Sequence, residues 1–163
     1  MMNAVSNLIF VHGLEGSSQG VKAKLLRQIF PGILTPDFRG PLAERMRQLD
    51  KFLTGKSGWT IIGSSFGGMM AALYACQHPT QVDKLVLLAP ALIWPDFAGD
   101  LPESISLPVI IYHGDKDELI PSGVIREIAE KVFLNLTLHL VDDNHGLYKT
   151  AQEIDWRKLV RKS

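Results

Sequence analysis

One serine, two aspartates and one histidine stand where their side chains could do covalent chemistry. Ser65 is the centre of Gly63-Ser64-Ser65-Phe66-Gly67, a G-x-S-x-G pattern. The apolar run Trp59-Thr60-Ile61-Ile62 leads into it, and the apolar, helix-like "GGMMAALYAC" leaves it. A turn this sharp forces strained backbone angles on the serine, so its neighbours two residues away must be small. Its effect is to hold one hydroxyl out into a cleft. A hydroxyl alone is a poor nucleophile; it needs a base within hydrogen-bond reach, and the base needs an orienting acid. Downstream, "VIIYHGDKDELIP" puts Asp115 and Asp117 just past one apolar run, and "LHLVDDNHGL" puts His145 just past the last.

The other histidines have structural readings. His139 lies inside an alternating strand, His78 precedes Pro79 at a helix end, and His113 and His12 each begin an H-G turn. Cys76 sits in an apolar helix and reads as a small core residue.

These side chains need elements to position them. Strand-like runs occur at 7–12, 32–37, 59–64, 84–90, 108–114 and 136–142, and helix-like stretches at 20–30, 41–54, 66–77, 122–133 and 147–161. Several runs are apolar on both faces, as parallel strands covered on each side require. The alternation predicts one α/β domain over 1–163, with a minimal doubly wound, mostly parallel sheet of about six strands and helices on both faces. In such sheets ligands bind outside the carboxyl ends of the strands, which is where Ser65, Asp115, Asp117 and His145 fall.

Composition sets the outer limits. Apolar residues make up 46% of the 163, and 17 Lys+Arg balance 17 Asp+Glu. That balance gives no basic stripe for nucleic acid or an anionic membrane surface. The basic "WRKLVRKS" reads as a last helical turn whose cations complement the helix dipole. The opening residues lack a signal peptide's basic flank and long apolar stretch, no segment approaches the length needed to span a bilayer, and one cysteine allows no internal disulfide. Cytoplasmic residence is therefore the default expectation.

Four motifs in this order, "LIFVHGLEGSS", "GSSFGG", "YHGDKDELIP" and "DDNHGLY", resemble the α/β-hydrolase superfamily across nearly the whole chain. The resemblance implies a small serine esterase-like member. It makes Ser65 the nucleophile, His145 the general base and Asp117, fifth residue of the H-G-x-x-D segment, the acid; spacing alone leaves Asp115 as a rival. It assigns the oxyanion-binding amides to Leu14 and Phe66. It calls for no cofactor and no metal, and for a small-molecule acyl substrate as partner. The bond is expected to be an ester. Thioesters, amides and a non-catalytic binding role remain on the same fold.

His12, Gly13, Trp94 and Phe97 are the candidate pocket residues. Residues 91–107 hold two prolines and one glycine, room for at most one short helix and no cap domain. "KFLTGKS" lacks the first glycine of a phosphate loop. Asp37 and Arg39 are expected to pair or to shape a turn, and Glu15, were it to face the site, would disfavour anionic substrates.

Overall fold

The structure is a computed structural model describing residues 7–161, so the opening residues of the signal-peptide reading, and Lys162 and Ser163, lie outside it. Five strands form one parallel sheet in the order β1 (Asn7–Val11), β2 (Trp59–Ser64), β3 (Val82–Leu88), β4 (Val109–Gly114), β5 (Leu136–Val141). The helices are α1 (Val21–Ile29), α2 (Leu42–Leu53), α3 (Phe66–Gln77), α4 (Pro95–Ala98), α5 (Ser122–Val132), α6 (Tyr148–Glu153) and α7 (Trp156–Leu159).

The sixth expected strand, 32–37, contracts to a single bridge between Leu34 and Ile9 on the outer edge of β1. Leu34 exchanges backbone hydrogen bonds with Leu8 and Phe10. Pro36, two residues on, has no N–H to extend the ladder. The expected last helix is split into α6 and α7, where the Asp155 side chain accepts a bond from the Lys158 amide and starts a new turn.

Chain direction decides which face each helix covers. From β1 the chain moves outward through α1 to Leu34, then turns back through α2 to β2 and keeps that direction to β5. Right-handed crossovers running in opposite directions lie on opposite faces. Accordingly α1, α6 and α7 share one apolar cluster, and α2, α3 and α5 share the other. Side chains alternate between the two: Ile61, Leu85 and Leu87 point into one cluster, Ile62, Val86 and Leu88 into the other. Helix α3 is apolar all round and almost wholly buried, the expected state for a helix between a sheet and another helix. The reversal of direction leaves a crevice at the carboxyl ends of β1 and β2, and the two segments that leave those ends carry Leu14 and Ser65.

Among the described residues no helix is long and apolar enough to cross a membrane. Between β3 and β4 the only helix is the four-residue α4, and among the described residues no cap domain stands over the sheet.

Candidate active site

The Ser65 turn is built by close approach. Ser65 has φ 54° and ψ −115°, outside the ordinary regions for a residue with a side chain. Its amide donates to Leu88 O at 2.9 Å, and its carbonyl accepts from Ala91 at 2.9 Å, so the end of β3 holds the turn from both sides. A Cβ on Gly63 would stand 2.6 Å from Gly67 O, and one on Gly67 would overlap the carbonyl oxygens of Val11 and His12. Both flanking glycines are therefore steric requirements. Two other non-glycine residues have positive φ, Ala89 at 45° and Leu147 at 51°. One neighbours the serine turn and the other lies two residues past His145, so backbone strain gathers at this end of the sheet.

Three side chains meet here from three loops. Ser65 Oγ lies 2.9 Å from His145 Nε2, and His145 Nδ1 lies 2.7 Å from Asp117 Oδ2. The Asp117 side chain is fully buried, and its Oδ1 accepts from the amides of Leu119 at 2.9 Å and Ile120 at 2.8 Å. A carboxylate oxygen accepts from Nδ1–H, so Nε2 is left as the acceptor for the Ser65 hydroxyl. Asp115 is exposed in the turn before Asp117. His113 packs behind the acid: its Nε2 donates to Ile120 O at 2.8 Å and lies 3.4 Å from Asp117 Oδ2.

Leu14 follows the carboxyl end of β1, and Phe66 follows Ser65 at the carboxyl end of β2. Neither amide donates to another group among the described residues. Phe66 N–H is the first amide of α3, at the positive end of the helix. The Leu14 loop is closed by a Gly16 amide to Gly13 O bond of 3.0 Å, and Gly13 lies against the Ser65 Cβ.

Of the pocket candidates, His12 and Gly13 line a small cavity beside Ser64, and His12 is also a support. His12 is buried and uses both nitrogens: Nε2 accepts from the Phe38 amide at 2.9 Å, so Nδ1 carries the hydrogen and donates to Gly13 O at 2.6 Å. Phe97 is fully buried against Phe133, 6.5 Å between rings, and offers no surface to a ligand; α4 sets it in the core cluster with Ile105 and Ile111. Trp94, 42% exposed, instead stands edge-on at 5.7 Å to Phe66, the residue after Ser65.

The expected Asp37–Arg39 pairing is replaced by another. Asp37 accepts from the Ser18 amide at 2.7 Å and from the Ser18 hydroxyl at 3.0 Å, and these bonds hold its carboxyl below the usual range. It ties the segment after Leu14 to the Leu34 bridge segment, while the Arg39 backbone is held by Gln48. Glu15 is exposed, and its charge acts on Arg45.

Three contributors carry no role in the sequence reading, although Asp143 and Tyr148 stand within "DDNHGLY". Asp143 accepts from the Thr150 amide and hydroxyl at 3.0 and 2.8 Å and from the Asn144 amide at 2.8 Å, fastening the His145 loop to α6. Tyr148 carries Lys22 Nζ 4.5 Å above its ring, beside a cavity of about 90 Å³ that also touches His12, Gly13 and Ser64. Arg45 reaches from α2 to Leu14 O. Only the acid in "DDNH" carried even a hint, as a side chain able to cap the following turn.

Among the described residues no group of three or more His, Cys, Asp or Glu is placed to hold a metal ion. The Ser65 turn, the crevice at the reversal of the sheet and the Ser65–His145–Asp117 contact fit one class of fold. A family model for the alpha/beta hydrolase fold matches residues 7–106, and the chain belongs to that family. It is 39% identical over 141 residues to monoacylglycerol lipase abhd6-B of Xenopus laevis, a match spanning 63% of this chain and 41% of the lipase. The chain spans less than half the length of the curated relatives it matches. Among solved structures it resembles alpha/beta hydrolase domain-containing protein 10 from mouse, with TM-score 0.75 and 17% identity over 96% of this chain and 91% of that one. It also resembles Est1E from Butyrivibrio proteoclasticus, with TM-score 0.70 and 18% identity over 96% of this chain and 89% of that one. At these identities the likeness is one of fold.

Proposed function

We propose that the protein is a serine hydrolase that cleaves small acyl esters through a covalent acyl-enzyme. The observation that carries this reading is the unbroken chain Ser65 Oγ–His145 Nε2, His145 Nδ1–Asp117 Oδ2, at 2.9 and 2.7 Å, with the serine held at positive φ. The lipase name of the frog relative supports acyl chemistry.

In this reading Ser65 Oγ attacks the ester carbonyl while His145 Nε2 takes its proton. Asp117 stabilises the imidazolium and keeps it aligned. The carbonyl oxygen becomes an anion that the Leu14 and Phe66 amides stabilise by a few kcal/mol each, on the order of 3. Collapse of the tetrahedral species expels the alcohol, which takes the proton from His145. Water then attacks the acyl-enzyme, gives one proton to His145, and releases the acid and the free serine. No step draws on a cofactor.

The test is Ser65→Ala assayed on p-nitrophenyl acetate and butyrate. Turnover is expected to vanish with the melting temperature retained, because alanine keeps the small shape of the turn. Undiminished turnover would contradict the reading.

A further inference from the structure

Arg45 is a buried cation with a donor unpartnered among the described residues. It is 6% exposed, it lies in the first turn of α2, and the positive end of a helix is an unfavourable place for a cation. Its Nε donates to Gly40 O at 2.8 Å and its Nη2 to Leu14 O at 3.4 Å, but Nη1 is buried with no partner among the described residues. The guanidinium carbon lies 5.4 Å from the centre of the Phe66 ring. Glu15 is an exposed counter-charge, and burial pushes the guanidinium's pKa down against it. A buried cation with an orphaned donor is a poor stabiliser, and an apolar side chain of similar volume would serve folding as well or better.

The two residues Arg45 touches beyond its own segment, Leu14 and Phe66, are the two whose amides the proposed mechanism assigns to the oxyanion. They follow the carboxyl ends of the neighbouring strands β1 and β2. Phe66 belongs to a buried helix, whereas Leu14 is half-exposed on a short loop. We propose that Arg45 is a positioning residue that fixes the Leu14 loop relative to Phe66, so that both amides meet one oxyanion. The inference rests on reading those amides as the oxyanion site. Arg45 does not touch substrate; it acts by stacking on Phe66 and hydrogen-bonding Leu14.

The test is Arg45→Met, with Arg45→Lys as the conservative variant, assayed on an aryl ester and on its thionoester analogue. A displacement of about 1 Å at such a site can lower the rate by about a hundredfold. In Arg45→Met, kcat is expected to fall between about ten- and a hundredfold with KM nearly unchanged and the melting temperature equal or higher. The preference for C=O over C=S should fall by about tenfold, since a developing sulfur anion gains less from amide donors. That preference is a ratio taken on the same folded molecules, so partial unfolding cannot move it. Arg45→Lys, which cannot reach Gly40 and Leu14 together, should fall between the other two proteins. A preference unchanged in both variants would overturn the proposal. A wild type that turns over neither ester would overturn the hydrolase reading itself, and this inference with it.

Discussion

His145 Nδ1 lies 2.7 Å from Asp117 Oδ2, and the carboxylate it meets is fully buried and fixed through Oδ1 by the amides of Leu119 and Ile120. The turn that follows β4 thus presents one oxygen to the histidine and ties the other to its own backbone. An amide in place of the carboxylate can hold the wrong imidazole tautomer, a loss on the order of 10⁴ in the serine-protease case. We expect Asp117→Asn to lower kcat by that order and Asp115→Asn, altering an exposed side chain, to change it little. The opposite ranking in steady-state kinetics would move the acid role to Asp115.

The Asp143 carboxylate orders the loop that carries His145. Burial alone would raise its pKa, but the bonds from Thr150 and Asn144 outweigh burial and hold it below the usual range. A carboxyl depressed on folding adds stability that is complete above its unfolded value, about pH 4, and is lost as pH falls through the folded value. Asp143→Asn should lower stability by about 1–2 kcal/mol at neutral pH. The gap to wild type should close as the pH is lowered from about 4 through the folded-state value. Melting curves from pH 7 to pH 3 check this; a gap that widens in acid would contradict it.

These two aspartates show what local sequence conveys. The Ser65 turn is legible because its requirement is local: a strand, two glycines at fixed offsets and an apolar helix. The order of elements is legible because covered parallel strands are apolar on both faces. Asp143, Arg45 and the Ser18–Asp37 tie are not legible, because their partners are set by where the loops meet in space. The strand at 32–37 failed for a local reason that composition conceals: Pro36 cannot donate. Phe97 reads as a pocket wall from its place after β3, yet the short α4 turns it into the core.

Cys76 offers a test independent of catalysis. Burial pushes its thiol up to about 11. At pH 8 about one thiol in a thousand is then ionised, so alkylation by iodoacetamide should be far slower than for a free cysteine. Cys76→Ala should leave hydrolysis unchanged. Rapid alkylation of the folded protein would contradict the packing described for α3.

With only α4 between β3 and β4 and Trp94 exposed beside Phe66, the site of the described residues should bury few acyl carbons. Each buried methylene is worth about 0.8 kcal/mol, so kcat/KM should rise over the first few carbons and then level off. A series of p-nitrophenyl esters from acetate to palmitate, below and above their aggregation concentrations, checks this. A maximum at long chains, or a jump in rate when the substrate aggregates, would show a deeper tunnel or an added lid.

The central claim is that His145 activates Ser65. A fluorophosphonate probe reads this directly, because it phosphonylates an activated serine and leaves a passive one untouched. Intact mass and peptide mapping of the folded wild-type protein should show one adduct, on Ser65, and none in Ser65→Ala. An unlabelled wild type, or an adduct carried by Ser64, would contradict the account.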